Sequence, residues 1–528
     1  MTTSDGIDYD VIVIGAGHNG LISANYLADK QLKVHVVEAN TEIGGMSSSG
    51  CPFPEAPQHI VNYCSIDLVF WQVSPVAREL NLAAYGLQTK ASDPAYAYLH
   101  PDGESLCFWR DAAKTANEIK YYSPEDAKAY LEYAIFLDRL MKVAIPAMLT
   151  NLARPDLASL TTLMAAAVKA MPYWKSFAEF FVASADEYLD RNFRHPIVRN
   201  FINGIPHVQY PSDRPGTAMS HLFIAFIHAT GCYRAIGGQQ AIPNALAKRL
   251  NSIGGSIETN ARVAQIIVEN GKARGVVMQD GRIMHAKKGV VATCDPITLF
   301  TRLLPKGTLS MEFEARVKHI PSNVQGTSVF KTDIALSGKL RLDRHQKKRR
   351  DDLDLRKPLT FIGDVEQGGK TYAKAGAGIL PRSEELITFC GIMNQEDPTQ
   401  APAGQDCLYM YTNHMPLHPE QGWDALAPIA AKAMIDHVSQ YYDGIESLEI
   451  ARMISSPLDI ERRKGVTNGH TLHVDLPAFG PMRPALGLGN HRLPVKGLFL
   501  GGAGAHPSGG VSGLPGRLAA REFLRTMK

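Results

Sequence analysis

The chain has 528 residues, 45% of them hydrophobic, with 55 Lys and Arg against 52 Asp and Glu for a net charge of +3. Chains beyond roughly 250–300 residues divide into more than one domain, and a charge this balanced gives no bulk attraction for nucleic acid. The seven cysteines are scattered and never form a C-x-x-C pair, which argues against a disulfide framework, a zinc site or a dithiol centre.

The first readable element is Tyr9–Ile14, whose β-branched run suits a strand buried on both faces of a parallel sheet. Gly15-Ala16-Gly17-His18-Asn19-Gly20 follows, then a helix over Leu21–Lys30 and a second strand over Lys33–Val37 that ends at Glu38. A G-x-G-x-x-G turn in this strand–turn–helix–strand context is a dinucleotide unit. Gly15 allows the tight turn, Gly17 leaves room for a pyrophosphate, and Gly20 lets helix and strand pack closely. Ala16, His18 and Asn19 complete the turn, and the helix N-terminus offers free N–H groups to phosphate. Glu38 is placed to accept from both ribose hydroxyls. Gly44-Gly45-Met46 comes just after it. A glycine pair there lets the chain pass close to a cofactor backbone, which favours FAD over NAD.

Ser123-Pro124-Glu125-Asp126 predicts a helix start, with dense apolar residues at helical spacing over Tyr130–Leu149 and Leu157–Leu189. This insert, about 123–194, is expected to be core of a substrate domain, with peripheral membrane contact as the alternative. His221 and His228 share one face of an apolar helix near Leu222–Ala229 and are expected to pack. Short strands are predicted at Ser256–Ile257, Ala264–Val268, Ala273–Gln279 and Val290–Ala292, with hairpin turns at Asn270-Gly271 and Asp280-Gly281. Residues 301–454 read as largely loop, and the basic run Lys347–Arg350 as solvated. Gly497–Leu500 predicts a strand, followed by a glycine-rich turn and a helix over Leu514–Thr526.

With these residues in place, the sequence resembles the phytoene-dehydrogenase-related FAD-dependent oxidoreductases. The similarity runs through Val13–Leu21, Ile236–Ile242, Gly255–Val263, Val290–Pro296 and, most strongly, Gly497–Gly513. It implies that Val263 reaches the adenine edge and that Gly502, Ala503, Gly510, Val511 and Gly513 contact FAD. One departure is Met46, where many relatives carry Arg. The segment Pro52–Gln88 resembles uncharacterised bacterial and mitochondrial homologues more than carotenoid desaturases.

The expected fold class is α/β (α+β with a Rossmann-like FAD domain). A discontinuous FAD-binding domain would be built from 1–80, 230–300 and 455–528, and a mixed sheet and helix substrate domain from 81–229 and 301–454. The expected activity is C–C dehydrogenation or desaturation of an apolar or cyclic substrate by hydride transfer. A flavin amine or alcohol oxidase, a saturase or isomerase, and a non-enzymatic binding protein stay open. So does the electron acceptor: oxygen, a quinone or a carrier protein. Chemistry next to a carbonyl needs a base and a donor. His59, His473 and His506 are the catalytic candidates, with His470, Tyr63 and Tyr210 behind them. His470 and His473 lack a third ligand at metal spacing, so no metal is expected. Met1–Asp10 shows no secretory segment, and no apolar stretch approaches the ~20 residues of a membrane span. The expected compartment is cytoplasmic, with peripheral membrane contact as the variant.

Overall fold

In the computed structural model, which describes residues 7–207, 211–475, 483–485 and 491–528, the strand Ile7–Ile14 lies at the centre of a seven-stranded sheet. Its apolar run Val11–Val13 is fully buried, as an unbroken β-branched segment covered on both faces should be. Val34–Val37 and the second half of Ile283–Ala292 flank it in parallel, with Ser256–Glu258 and Leu498–Leu500 beyond them. The register is level at one edge. Ile14 stands opposite Val37 and Ala292, Val37 opposite Glu258, and Ala292 opposite Leu500. Five parallel strands therefore finish together, and the residues after four of them, Gly15, Glu38, Thr293 and Gly501, lie at the end where open α/β sheets bind ligands. The hairpin Val263–Glu269/Lys272–Met278 extends the sheet. Its turn holds Asn270 at φ 50° and Gly271 at φ 69°, the left-handed pair that the Asn-Gly step favours.

Three helices cover one face. His18–Ala28, Ala241–Ser252 and Leu514–Arg525 bury Leu21, Ile22, Leu246, Leu250, Ala519 and Phe523 against Val11, Val13 and Val36. The chain's first and last helices cross closely: a Cβ on Gly516 would lie 2.2 Å from the Asn19 carbonyl oxygen.

Residues 301–454 are not largely loop. They supply five strands of a second seven-stranded sheet: Glu449–Ser455, Thr327–Leu336, Asp406–Pro416, Thr388–Ile392 and Leu359–Ile362. Tyr96–Leu99 and Ser105–Phe108 complete it. Charged residues inside buried strands hide the pattern; Lys331 and Asp333 are both almost fully buried. Arg349, expected to be solvated, is instead tucked against Glu118 at 3.0 Å.

The helical insert divides in two. Ser123 caps Pro124–Leu149, accepting from Asp126 N–H at 3.0 Å, and Tyr130, Tyr133, Leu137, Leu140 and Met141 are core. His221 and His228 bond to the hydroxyls of Tyr133 and Tyr130 at 2.6 and 2.8 Å, so both pack against this helix. Leu157–Ala170 behaves differently. Leu157, Met164 and Val168 on it, and Met171, Trp174 and Val182 just after it, are 61–78% exposed. The core expectation holds for the first helix and fails for the second. Among the described residues no helix is long and apolar enough to cross a membrane.

Candidate functional site

A cavity of about 410 Å³ opens at the level strand edge and runs toward the second sheet. Its floor is the glycine turn. Gly15 takes φ 98°, and a Cβ on Gly20 would lie 1.9 Å from the Gly15 carbonyl oxygen. Gly20 is thus required for packing. Gly17 differs: the nearest atom to its added Cβ is Gly45 Cα at 3.9 Å, and it lines the cavity. Gly44 N–H donates to Ala16 O at 2.9 Å, which holds the glycine pair against the turn. Gly45, Met46, His18 and Asn19 also face the cavity. The helix His18–Ala28 has no side-chain cap, so its first N–H groups stay free for an anion.

Glu38 is buried, and its carboxylate accepts from Ala16 N–H at 2.8 Å and from Asn40 N–H at 2.9 Å. Each oxygen keeps a lone pair, and the side chain lines the cavity. Ala261, Arg262 and Val263 continue the same wall. Thr293 was not singled out by sequence. Its hydroxyl reaches the carbonyls of Ile14 at 2.9 Å and Gly15 at 3.1 Å and so pins the turn.

The C-terminal block divides by role. Ala503, Gly510 and Val511 line the cavity. Gly502 and Gly513 lie behind it, where added Cβ atoms would meet Thr293 O at 2.4 Å and Ile22 Cδ1 at 2.4 Å. Val511 holds φ 57°, a strained setting for a β-branched residue that clusters at functional sites. These features fit a dinucleotide: a capless helix end, a glycine floor open on its ligand side, and a carboxylate at the end of the second strand.

The three candidate histidines separate. His473 lines the cavity, its Nδ1 is buried without a partner among the described residues, and burial pushes its pKa down to about 4. His18 lies close enough to interact with it electrostatically and is also pushed down to about 4. His59 does not reach the cavity; its Nε2 bonds to the Leu336 carbonyl at 3.3 Å. His506 likewise points away, to the Ala147 carbonyl at 3.0 Å. Adjacency to a glycine block along the chain did not translate into direction in space. His470 lines the cavity with both nitrogens engaged, by Asp475 at 2.8 Å and by Leu472 N–H at 3.1 Å. Tyr63 also lines it. Tyr210 lies outside the described residues.

The far wall is aromatic and sequence reading missed it. Phe70, Tyr96, Phe223, Phe389, Tyr409 and Tyr411 line it. Tyr411 stands opposite both Lys331 and Phe389, and Tyr409 opposite Asp333, so three strands present one row. Lys331 and Asp333 form a buried ion pair, in which burial drives Asp333 up and Lys331 down. Lys331 Nζ sits 4.1 Å from the Tyr409 ring centroid. Asp67 is engaged by Arg234 and by the Tyr96 hydroxyl.

Residues 20–365 match the model of the flavin containing amine oxidoreductases. The chain belongs to that family. It is thus a flavin-dependent oxidoreductase, with the phytoene-dehydrogenase-related branch represented among its relatives. It is 27% identical to the mouse pyridine nucleotide-disulfide oxidoreductase domain-containing protein 2, over 99% of this chain and 94% of that one. A limonene dehydrogenase component from Castellaniella defragrans is 25% identical, with 98% and 95% covered. A neurosporene-forming phytoene desaturase of Cereibacter sphaeroides is 24% identical, with 96% and 92% covered. A solved oxidoreductase from Methanosarcina mazei superposes with a TM-score of 0.61 at 16% identity, covering 98% of this chain and all of that one.

Proposed function

We propose that this flavin oxidoreductase uses FAD to dehydrogenate a carbon–carbon bond of an apolar or cyclic substrate. The observation that carries the reading is the wall facing the glycine floor. It is aromatic, and its own carboxylate, Asp67, is engaged; Asp295, whose Oδ2 has no partner among the described residues, lines the cavity after Thr293, on the glycine-turn side. Asp67 is taken by Arg234, and the face of Tyr409 is occupied by Lys331. A neutral hydrocarbon or ketone fits such a wall, and a cationic amine meets a cation there. Relatives named for phytoene desaturation and limonene dehydrogenation support the same direction.

Glu38 and the Gly15–Gly20 turn would hold the nucleotide end of FAD, and Ala503, Gly510 and Val511, which also line the cavity, would hold its other end. When bound, a flavin accepts the hydride equivalent. The protein excludes water with its aromatic wall and positions the carbon that loses hydride. His473, neutral at pH 7 because of burial, is the group placed to take the proton from the adjacent carbon at Nδ1.

The test is anaerobic titration of the purified protein with cyclic ketones, terpenes and polyenes, and with amines and alcohols, following the flavin's visible band. Bleaching by the first group alone supports the reading. Bleaching by amines or alcohols alone replaces it with an oxidase.

A further inference from the structure

Three cationic side chains line the cavity among the described residues: Arg262, Lys331 and Lys464. Arg262 is exposed and Lys331 is paired with Asp333. Lys464 is part-buried, and its Nζ lies 5.1 Å from the Tyr63 ring centroid. It closes the helix Pro457–Lys464, and Gly465 at φ 64° ends that helix so that the chain turns toward the cavity. Its ammonium donates to Ser48 Oγ at 2.6 Å, and no carboxylate lies within ion-pair reach among the described residues. Ser48 Oγ in turn donates to the Gly45 carbonyl at 2.8 Å. A hydrogen-bond chain therefore runs from Lys464 to the glycine pair. Gly45 packs on Gly17, at the uncapped start of the helix His18–Ala28. Met46, the side chain following the pair, is neutral.

We propose that Lys464 is a cofactor-binding residue whose ammonium meets the diphosphate of the bound dinucleotide, together with the N–H groups of the first helix. The inference rests on the FAD reading. An ammonium has three donors; one goes to Ser48 and the Tyr63 ring lies beside the group, and an anion would take the donor capacity these leave. A part-buried cation with no carboxylate partner gains from an anion, and burial, with the neighbouring Arg463, pushes Lys464 down. Cys64, then Glu38 and Glu42, oppose that push, and neither carboxylate forms an ion pair with it. A diphosphate beside Gly17 and Gly45 would complete both the helix end and the ammonium. A lysine placed only to suit its own helix C-terminus would bond that helix's carbonyls, whereas this one bonds a serine from the N-terminal region of the chain.

The test uses apoprotein and three probes: FAD, ADP and riboflavin. Lys464→Met is expected to weaken FAD and ADP together by about 10–100-fold, the range for a charge-assisted contact, and to leave riboflavin unchanged. Lys464→Arg should stay within about 3-fold of wild type. Ser48→Ala, which keeps the charge but frees its position, should weaken ADP by about 3-fold. Unchanged FAD and ADP affinity in a folded Lys464→Met overturns the assignment. Loss of FAD and riboflavin with ADP retained also overturns it, by moving the cation to the flavin. If Lys464→Met does not fold, unchanged ADP affinity in Ser48→Ala overturns it. Wild-type apoprotein that binds none of the probes removes the FAD reading instead.

Discussion

The Ser23 hydroxyl donates to the Gly516 carbonyl at 2.8 Å. This bond joins the chain's first helix to its last and closes the cofactor-facing layer from both ends. Asn19 adds a second link, with Oδ1 accepting from Gly516 N–H at 3.3 Å. The glycine turn and the C-terminal block are therefore parts of one structure, and changes at either end should be felt at the other.

Two glycines of the turn should fail in different ways. Gly20→Ala places a methyl 1.9 Å from the Gly15 carbonyl oxygen and is expected to cost about 3 kcal/mol of stability or to abolish folding. Gly17→Ala meets nothing closer than 3.9 Å, so the protein should fold normally and lose FAD affinity. Thermal unfolding together with flavin titration of both variants checks this. Equal folding defects would contradict the assignment of Gly17 to the ligand side.

Glu38→Gln should weaken FAD by about 10–100-fold, since hydrogen bonds to a charged group contribute about 1.5–3 kcal/mol. The amide oxygen can serve only one of the Ala16 and Asn40 N–H groups, so thermal unfolding is measured beside the titration, and the loss of FAD affinity should exceed any loss of stability. FMN, which lacks the adenosine ribose, should not respond to the substitution. An equal effect on FMN would place Glu38 elsewhere.

His473→Gln should lower turnover by about 10²–10⁴-fold while FAD affinity stays within about 2-fold. The wild-type profile of kcat/KM should hold as pH falls and lose activity only near pH 4, where the ring protonates. An acid limb near 6.5, or no loss of turnover in the variant, would remove His473 from the chemistry.

The same buried rings set the acid stability. His207 and His221 are pushed to about 3, and His18, His473 and His506 to about 4. Below about pH 6.5 the unfolded chain takes up protons on these rings while the folded chain does not, so stability falls with pH across the window down to about 4. Tm should drop steadily from about pH 7 to pH 5. A flat Tm over that range would contradict the burial of these side chains as neutral rings.

The buried Lys331–Asp333 pair offers a double-variant cycle. Asp333→Leu leaves Lys331, and Lys331→Met leaves Asp333, buried without its counter-charge, and each should cost about 3–5 kcal/mol. Lys331→Met with Asp333→Leu removes both charges and should cost less than either single change. Denaturant unfolding of the three variants measures the difference, and additive losses would count against the pair.

The cofactor half of the site was legible because its demands are local. Gly15, Gly17 and Gly20 are fixed by a turn, a ligand approach and a close packing within one short segment. Glu38 lies at the end of the strand paired with the one before them. Asn270-Gly271 and Ser123 were legible for the same reason, each being a local backbone requirement. The opposite wall was not. Lys331 and Asp333 share a face at strand period two, and their charges cancel only with each other, so the strand Thr327–Leu336 looked polar. Tyr409 and Tyr411 meet Lys331, and Phe389 meets Tyr411, only through cross-strand register, which no single segment displays. His59 and His506 show the converse. Both lie beside glycine blocks in sequence, yet each bonds to a carbonyl away from the cavity. Lys464 sat in an Arg462-Arg463-Lys464 run that resembles an ordinary helix C-terminus, and only the Ser48 bond reveals its direction.

The central claim is that both ends of this chain build one FAD site facing an apolar cavity. Its most direct test is to denature the purified protein, release the cofactor and identify it by chromatography with mass detection. The account predicts FAD, in near-stoichiometric amount, in yellow protein whose apo form takes FAD up again. Colourless protein that stays colourless after incubation with FAD would contradict it.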